Sequence, residues 1–478
     1  MKFSTMTALR LTTVLMALVA GICMPAHAQS SKPNIIYILS DDQGWKDVGY
    51  HGSDIKTPNI DKLAAEGTRL EQFYAQPMCT PTRAALMTGR YPFRYGLQTI
   101  VIPAPSKYGL PTDEWLLPQA LKDAGYYTAI IGKWHLGHAD EKYWPRQRGF
   151  DYQYGPLIGE IDYFTHKEHE TVDWYRDNKK VIEPGYTTTL LGNDAVKLIE
   201  QHDVAQPLFI YLTFNAPHTP YQAPYLDKYP NITDPSRRAY AGSITAMDDE
   251  IGRVVAALEK KGMRKNTIII FQSDNGGTRN AMFTGTITNT KGLVIPCDNG
   301  PYREGKGTNY EGGTRVIAFI NWPGHVRAGA IENGMMHVTD MYPTLVGLAG
   351  GSTAKSKPLD GMDMWTTISE GKPSPRTEVV YNLEPFRAAV RQGDWKLVWR
   401  TTLPTSVELF NIAQDPSEKT NLAAQYPEKV AQLQARLNEL AATAAKPTIL
   451  VIEFGEMRKR LTMPPALPGE ELEFDQEQ

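Results

Sequence analysis

Two pairs of residues with oxygen-bearing side chains stand at matching places in the sequence. Asp41 and Asp42 directly follow one apolar run. Asp274 and Asn275 directly follow another. Carboxylate and amide oxygens are the ligands that Ca²⁺ and Mg²⁺ prefer, whereas zinc prefers nitrogen and sulfur. An acidic pair after a strand is also a common turn or helix cap. Two such pairs together favour a Ca²⁺ or Mg²⁺ site.

Groups that bind anions or transfer protons follow two further apolar runs. Lys133 and His135 come after the first of these runs, and His218 comes after the second. In open α/β sheets, ligands bind outside the carboxyl ends of parallel strands. The sequence therefore predicts that these residues and the four oxygen ligands line one crevice.

Cys79 begins a short helical pattern that ends at Gly89, with Thr80 able to cap it and Pro81 in its first turn. A helix N-terminus attracts anions and favours a thiolate. A cysteine nucleophile would need a base such as His135 or His218, and that hypothesis leaves the oxygen ligands unexplained. A disulfide with Cys297 is the other alternative.

The elements that must position these residues follow an alternating strand and helix pattern. Five apolar, β-branched runs predict core strands at 34–40, 127–132, 208–214, 267–273 and 315–321. Apolar residues at helical spacing lie between them, at 58–66 and 244–258. This pattern predicts an α/β fold with a mostly parallel sheet covered by helices on both faces.

The pattern changes after about residue 375. Four short runs at 379–383, 388–390, 395–399 and 407–410 predict antiparallel strands, and an amphipathic helix follows them around 430–440. We therefore predict a catalytic domain over residues 29–375 and a smaller C-terminal α+β subdomain over 376–478, joined near 350–375.

Composition and the N-terminus narrow the class of protein. The chain has 478 residues, 41% hydrophobic and 22% charged, with a net charge of -3, which excludes a nucleic-acid binder. Residues 1–28 have a basic start, an apolar stretch and an Ala-His-Ala cleavage site, which predicts a signal peptide. The mature protein is expected to be exported, periplasmic or secreted, without a membrane anchor. Cleavage also removes Cys23, one of three cysteines.

Six ordered motifs resemble the signatures of the type I sulfatases. They are CTPTR with AALMTGR at 79–90, LSDDQG at 39–44, GKWHLG with RGFD at 132–151, SDNG at 273–276, REGKG with YEGG at 303–313, and HVTDMYPT at 337–344. The resemblance covers nearly the whole mature chain. Residues 89–163 are also similar to arylsulfatase B, an N-acetylgalactosamine-4-sulfatase.

The resemblance implies a fold, a modification and a metal. The expected fold is an alkaline-phosphatase-like sandwich, a large mixed sheet between helices, with a smaller antiparallel sheet. Cys79 would be oxidised to formylglycine by a sulfatase-maturing enzyme. Ca²⁺, or Mg²⁺, would be held by Asp41, Asp42, Asp274 and Asn275 together with the modified residue 79.

The resemblance also implies catalytic roles. A hydroxyl of hydrated formylglycine attacks sulfur, and Arg83 holds that hydrate. Lys133 and Lys306 bind sulfate oxygens, which stabilises charge in the transition state. His218 or Lys306 protonates the leaving oxygen, and His135 is the base that releases sulfate. A lone histidine in this sequence would more often be a core residue, and for His135 the motif reverses that interpretation.

The expected substrate is a sulfated oligosaccharide or polysaccharide with sulfate at O4 of a galacto-configured sugar, as in carrageenan or chondroitin and dermatan fragments. The aromatic and arginine-rich segment 143–176 suits sugar rings and anions. The predicted substrate residues are Glu160, Asp162, Tyr163 and His166, joined from the C-terminal part by Asn382, Glu384 and Arg387. Two alternatives are a formylglycine-dependent phosphonate or phosphodiester hydrolase and an unmatured protein that only binds sulfated glycans.

Overall fold

The computed structural model describes residues 32–279, 295–401, 405–452 and 455. The predicted signal peptide, Cys23 and the end of the chain beyond 455 lie outside these described residues.

The strands, numbered in chain order, are β1 (Asn34–Ser40), β2 (Thr68–Leu70), β3 (Phe73–Tyr74), β4 (Tyr127–Gly132), β5 (Tyr152–Gly155), β6 (Lys167–Glu168), β7 (Thr171–Val172), β8 (Tyr175–Arg176), β9 (Lys179–Lys180), β10 (Leu208–Thr213), β11 (Thr267–Ser273), β12 (Ala318–Asn321), β13 (Ala330–Glu332), β14 (Met336–His337), β15 (Glu378–Glu384), β16 (Arg387–Gln392), β17 (Trp395–Arg400) and β18 (Ser406–Asn411). The α-helices are α1 (Pro58–Ala65), α2 (Cys79–Thr88), α3 (Leu117–Asp123), α4 (Thr187–Gln201), α5 (Pro235–Lys260), α6 (Glu311–Thr314), α7 (Met341–Leu348), α8 (Trp365–Glu370) and α9 (Pro427–Ala442).

A ten-stranded mixed sheet forms the centre of the fold, in the order β13-β2-β12-β11-β1-β10-β4-β5-β8-β9. Its four central strands β11, β1, β10 and β4 are parallel neighbours. Their ends are in register, because Ser40 pairs with Ser273 and Thr213 pairs with Gly132. The side chains that follow these four strands therefore emerge at one edge of the sheet, as the sequence predicts.

Helices cover both faces of this sheet. On β1, Ile35, Tyr37 and Leu39 pack in a core with α2, α3 and α7. The alternate residues Ile36 and Ile38 pack in a second core with α1, α4 and α5. Successive side chains of a strand point to opposite faces, so every residue of β1 is buried. The predicted layered α/β fold is confirmed.

The fifth predicted core strand, 315–321, is shorter than expected and antiparallel. The strand β12 begins only at Ala318 and pairs antiparallel with β11. Arg315 instead forms a bridge with Tyr74, and the Val316 amide donates to the Phe73 carbonyl at 3.1 Å. The backbone of these residues is therefore bound by the short strand β3 before β12 begins.

A separate four-stranded antiparallel sheet, β15-β16-β17-β18, follows in the C-terminal part, and α9 packs against it. A buried ionic cluster attaches this sheet to the rest of the protein. Lys396 pairs with Glu311 at 3.0 Å and with Glu418 at 2.8 Å, and the Tyr381 hydroxyl donates to Glu311 at 2.7 Å. The predicted antiparallel sheet is confirmed, and the boundary at 375/376 stays a prediction. Within the described ranges, no helix has the length and apolarity needed to cross a bilayer.

Candidate active site

The loops after β1 and β10 and the start of α2 bring together a compact group of ligand atoms. One side-chain ligand atom from each of Asp41, Asp42, Cys79 and His218 lies within 4.8 Å of the others, and all four residues are buried. Asp42 adopts a left-handed backbone with φ of 62°, which non-glycine residues seldom do. Such conformations concentrate at functional sites, where the surrounding structure enforces them.

Cys79 is the first residue of α2, and its side chain points at the carboxylates. The residue is 1% exposed, and its thiol donates to Asp41 Oδ1 at 3.4 Å. Burial, together with Asp274 and Asp41, raises the pKa of the Cys79 thiol well above its ordinary value. This environment opposes a thiolate. Cys79 and Cys297 are both free, so the disulfide alternative is not formed.

The residues that follow Cys79 hold the start of α2 in place, but by contacts other than the predicted helix cap. Thr80 does not cap α2, since its hydroxyl donates to the His135 carbonyl at 2.9 Å and accepts from the Ile102 amide at 3.1 Å. The Thr82 hydroxyl bonds both the amide and the carbonyl of Gln76 at 3.0 Å. The start of α2 is thereby tied to three other segments of the chain.

Arg83 bridges the carboxylates of Asp41 and Asp274, and its side chain has no exposed surface. Its guanidinium donates to Asp274 Oδ2 at 3.0 Å and lies 3.5 Å from Asp41 Oδ2. It also donates to the Lys133 carbonyl at 2.9 Å and to the Thr213 hydroxyl at 2.5 Å. This one side chain therefore links the ends of four central strands.

Two lysines form ion pairs with the aspartates of the site. Lys133 forms an ion pair with Asp41 Oδ2, and both side chains are fully buried. Gly132, at the end of β4, has φ of 117°, and a Cβ there would lie 1.8 Å from the Thr213 carbonyl oxygen. Only glycine fits this turn, which directs the chain into the site. Lys306 donates to Asp42 Oδ2 at 2.7 Å.

His218 lies beside Lys306 in a defined orientation. Its Nδ1 is 2.7 Å from the Thr219 carbonyl, which can only accept, so this nitrogen carries the proton. Nε2 then accepts from Lys306 Nζ at 3.2 Å. Burial and Lys306 lower the pKa of His218 to about 4. The imidazole is therefore neutral at pH 7.

His135 is the second histidine of the site. Burial and Lys133 lower its pKa well below the ordinary value, and its Nδ1 is buried with no hydrogen-bond partner among the described residues. The ring packs against Gly159, where a Cβ would lie 2.3 Å from His135 Cε1. A neutral imidazole held in this way can accept a proton.

The oxygen ligands fit a hard metal cation. Asn275 Nδ2 donates to Asp42 Oδ1 at 2.7 Å and to the Gly276 carbonyl at 2.9 Å. This fixes the amide so that Asn275 Oδ1 is buried without a partner among the described residues. A buried acceptor without a donor is costly, and a cation beside the carboxylates would satisfy it. Asp274 Oδ1 accepts from the Asp42 amide at 3.1 Å.

A cavity opens above this group of residues. It is lined by Met78, Cys79, Val101, Ile102, Pro103, Ala104, His135, Ile158, Gly159, Glu160, Glu168, His218 and Lys306. Glu160 is thus the predicted substrate residue that the structure places at the cavity.

The other predicted substrate residues in 162–166 hold the fold around the cavity. Asp162 accepts from the Thr165 amide at 2.7 Å and from the Gln222 side chain at 2.7 Å. Tyr163 is buried, and its hydroxyl donates to the His218 carbonyl at 2.8 Å. His166 is buried and stacks on Trp174.

Of the three predicted substrate residues in the C-terminal sheet, Glu384 lines a second pocket rather than the cavity at Cys79. Asn382 donates to the Gln98 carbonyl at 3.0 Å and to Glu384 at 2.9 Å. Arg387 pairs with Glu384 and donates to the carbonyl of Gly307, the neighbour of Lys306. Arg387 therefore links the C-terminal sheet to the loop that carries Lys306.

Three residues of the site were not predicted from the sequence. Thr213 contacts Arg83, and Thr278 donates to Asp42 Oδ2 at 3.2 Å. Thr213 lies at the carboxyl end of the predicted strand 208–214, so its position could have indicated it. Glu168 lies in an irregular polar segment, where no sequence signal marks it.

Known proteins are similar to this chain in sequence and in fold. Residues 33–352 match the family described as Sulfatase, and residues 305–443 match the family described as N-sulphoglucosamine sulphohydrolase, C-terminal. Arylsulfatase J of Mus musculus is 37% identical, over 87% of this chain and 77% of that protein. N-acetylgalactosamine-6-sulfatase of Rattus norvegicus is 33% identical, over 83% of this chain and 77% of that protein.

A solved structure shows the same likeness. The crystal structure of Ps i-CgsB in complex with k-i-k-neocarrahexaose superposes with a TM-score of 0.78 and 34% identity, covering 87% of this chain and 94% of that chain. The family match over residues 33–352 and the named sulfatase relatives define a sulfuric ester hydrolase. The chain belongs to the sulfatase family.

We expect Lys306→Met to lower kcat/KM for a sulfate ester by on the order of 10²–10³-fold, because a buried cation that faces the cavity stabilises charge in the transition state. Lys306 is 5% exposed, whereas the Lys46 side chain is 45% exposed, so Lys46→Met is a matched control with unchanged activity. Release of sulfate under steady-state conditions measures both. Equal activities for the two variants would contradict the role of Lys306.

Proposed function

We propose that this sulfatase removes sulfate from O4 of a galactose or N-acetylgalactosamine residue, in carrageenan or in chondroitin and dermatan fragments, acting from a chain end. The observation that carries the proposal is the lining of the cavity, where Lys306 lies with Cys79 and could pair with a sulfate group, and where apolar residues such as Val101 could contact a sugar ring. The likeness to the neocarrahexaose complex supports a galactose-based substrate.

We infer that Asp41, Asp42, Asp274 and Asn275, with residue 79, hold Ca²⁺, or Mg²⁺ in its place. All four residues are buried and offer oxygen atoms as metal ligands. Asn275 Oδ1 has no hydrogen-bond partner among the described residues, which supports a cation beside it. When bound, the cation supplies Lewis acidity toward a sulfate oxygen.

Cys79 is the proposed site of oxidation to formylglycine, whose hydrate supplies a hydroxyl nucleophile. A single serine-like hydroxyl could attack sulfur, but it could not release sulfate afterwards. Arg83, already bonded to Asp274, would hold the hydrate beside the carboxylates.

The remaining residues bind sulfate and move protons. Lys133 and Lys306 would bind sulfate oxygens. Lys306 would deliver a proton to the leaving sugar oxygen, either directly or through His218, whose Nε2 lies 3.2 Å from Lys306 Nζ and can take up the proton and pass it on. His135, neutral and without a partner at Nδ1, would take the proton whose loss releases sulfate.

The proposed partner of the chain before catalysis is a sulfatase-maturing enzyme, and the proposed location is the periplasm or the exterior. The apolar segment 11–22 and the Ala-His-Ala site at 26–28 support export.

Sulfate release from matched disaccharides tests the substrate. We expect hydrolysis of a 4-O-sulfated galactose or N-acetylgalactosamine unit at the non-reducing end, and much slower hydrolysis of the 6-O-sulfated isomer. The relative named for 6-sulfatase activity makes this isomer the informative comparison. Faster hydrolysis of the 6-O-sulfated unit, or activity confined to glucosamine or fucose sulfates, would overturn the O4 assignment.

A further inference from the structure

The lining of the active-site cavity carries charges of both signs. It holds Lys306 and the two histidines together with Cys79. It also holds two carboxylates, Glu160 and Glu168. Among the described residues that line the cavity, Lys306 is the one lysine or arginine. Once a sulfate group is paired with Lys306, a second anion on the bound sugar would therefore meet carboxylates and no further lysine or arginine of this lining.

Glu168 is fixed and shielded from solvent in the short hairpin of β6 and β7. Its side chain is 16% exposed, and its Oε1 lies 3.9 Å from His169 Nε2. That histidine is 74% exposed and neutralises the carboxylate only when protonated. Burial raises the pKa of Glu168, and Glu160 adds to this shift, so the two carboxylates lie close enough to repel each other.

Glu160 belongs to a loop that is held rigidly against His135. The Asp173 carboxylate accepts from the Ile158 amide at 2.7 Å and from the Leu157 amide at 3.3 Å. The His135 amide donates to the Leu157 carbonyl at 3.0 Å. The loop therefore fixes the position of Glu160 relative to the reacting end of the cavity.

We propose that Glu160 and Glu168 are specificity-determining residues that restrict the cavity to a sugar ring carrying one sulfate and otherwise free hydroxyls. Carboxylates accept hydrogen bonds from hydroxyl groups, and they repel a second sulfate or a carboxylate on the same ring. Repulsion of the wrong ligand is a common source of selectivity. The inference rests on the proposed function for the identity of the sugar, but the charge selection itself does not.

The test compares substrate pairs that differ by one added anion. The sugar pair is a 4-O-sulfated and a 4,6-di-O-sulfated N-acetylgalactosamine unit at the end of the same oligosaccharide. The second pair is 4-nitrophenyl sulfate and an aryl sulfate of the same size bearing an added carboxylate.

The wild type is expected to favour the singly charged member of each pair. Glu168→Gln should raise the relative kcat/KM for the doubly charged member on the order of 10-fold, because it removes one repulsive charge at close range. Glu170→Gln is the matched control, since that side chain is 97% exposed and bears the same charge. Its ratio should equal that of the wild type.

Unchanged ratios in Glu168→Gln and also in Glu160→Gln, with melting temperatures near that of the wild type, would overturn the inference. Two independent variants guard against one that fails to fold. Failure of the proposed function has a different signature. In that case no galacto-configured sugar is hydrolysed, yet the aryl pair still shows the shift in ratio for Glu168→Gln.

Discussion

Cys79→Ala is expected to abolish sulfate release, with a loss in kcat on the order of 10⁴–10⁶-fold. Removal of a covalent nucleophile has effects of this size, and the residual rate comes from binding and charge stabilisation alone. The substitution exchanges a thiol for hydrogen in a buried position, so the fold should persist with a loss of about 1 kcal/mol. Steady-state release of sulfate and the melting temperature measure the two effects.

Cys297→Ala is the matched control, because this second cysteine is equally buried, 3.8 Å from the Asp42 carbonyl but outside the cavity lining. It should keep most of its activity. Mass spectrometry of the peptide that contains residue 79 separates the chemistries: active protein should carry the aldehyde in place of the thiol. An active enzyme with only unmodified Cys79 would contradict the formylglycine assignment, and an active Cys79→Ala would contradict any role in bond formation.

Arg83→Met is expected to lower the free energy of unfolding by about 3–5 kcal/mol, the range for a buried ion pair that loses one partner. The variant keeps an unbranched apolar stem but removes the guanidinium, so that Asp274 loses its ion pair with Arg83 and Asp41 is paired with Lys133 alone. Activity should fall as well, because the carboxylates would no longer be held in place. Denaturant unfolding of the metal-free protein measures the stability change.

A surface arginine provides the comparison for this variant. Arg436 pairs with Glu378 at 2.8 Å but is 36% exposed, so Arg436→Met should cost less than about 1 kcal/mol. If Arg83→Met cost no more than Arg436→Met, Asp274 would have to be protonated or paired by another group. The ion pairs that we assign to Arg83 would then be wrong.

The central strands and the residues that follow them were predictable from the sequence. The runs 34–40, 127–132 and 267–273 match β1, β4 and β11 in full, because strands buried on both faces are continuously apolar. Because these strands lie close together in the sheet, the polar residues that follow them lie at one edge. The predicted start of strand 315–321 was wrong, because its first residues pair with β3. Such a contact joins segments that are distant in the chain, and the local pattern of apolar residues does not indicate it.

The wall of the cavity was much less predictable. Asp162, Tyr163 and His166 have the residue types that suit a sugar, but in the structure they bond to Gln222, to the His218 carbonyl and to the Gly185 carbonyl. Loop side chains have no fixed period, so the sequence does not show whether they turn toward the cavity or toward the protein. Glu160 and Glu168 line one cavity with His135, although the loop and the hairpin that carry them have no periodic pattern that would predict it.

The burial of Cys79 at the start of α2 determines whether its oxidation can take place before or after folding. All ten residues of α2 are buried, so no enzyme of ordinary size could reach the thiol in the finished fold. If Cys79 is oxidised, the oxidation has to precede folding, while the segment around 79–83 is still extended. Production of active enzyme would then depend on competition between two rates, those of oxidation and of folding. A faster-folding variant could be more stable and yet yield fewer active molecules.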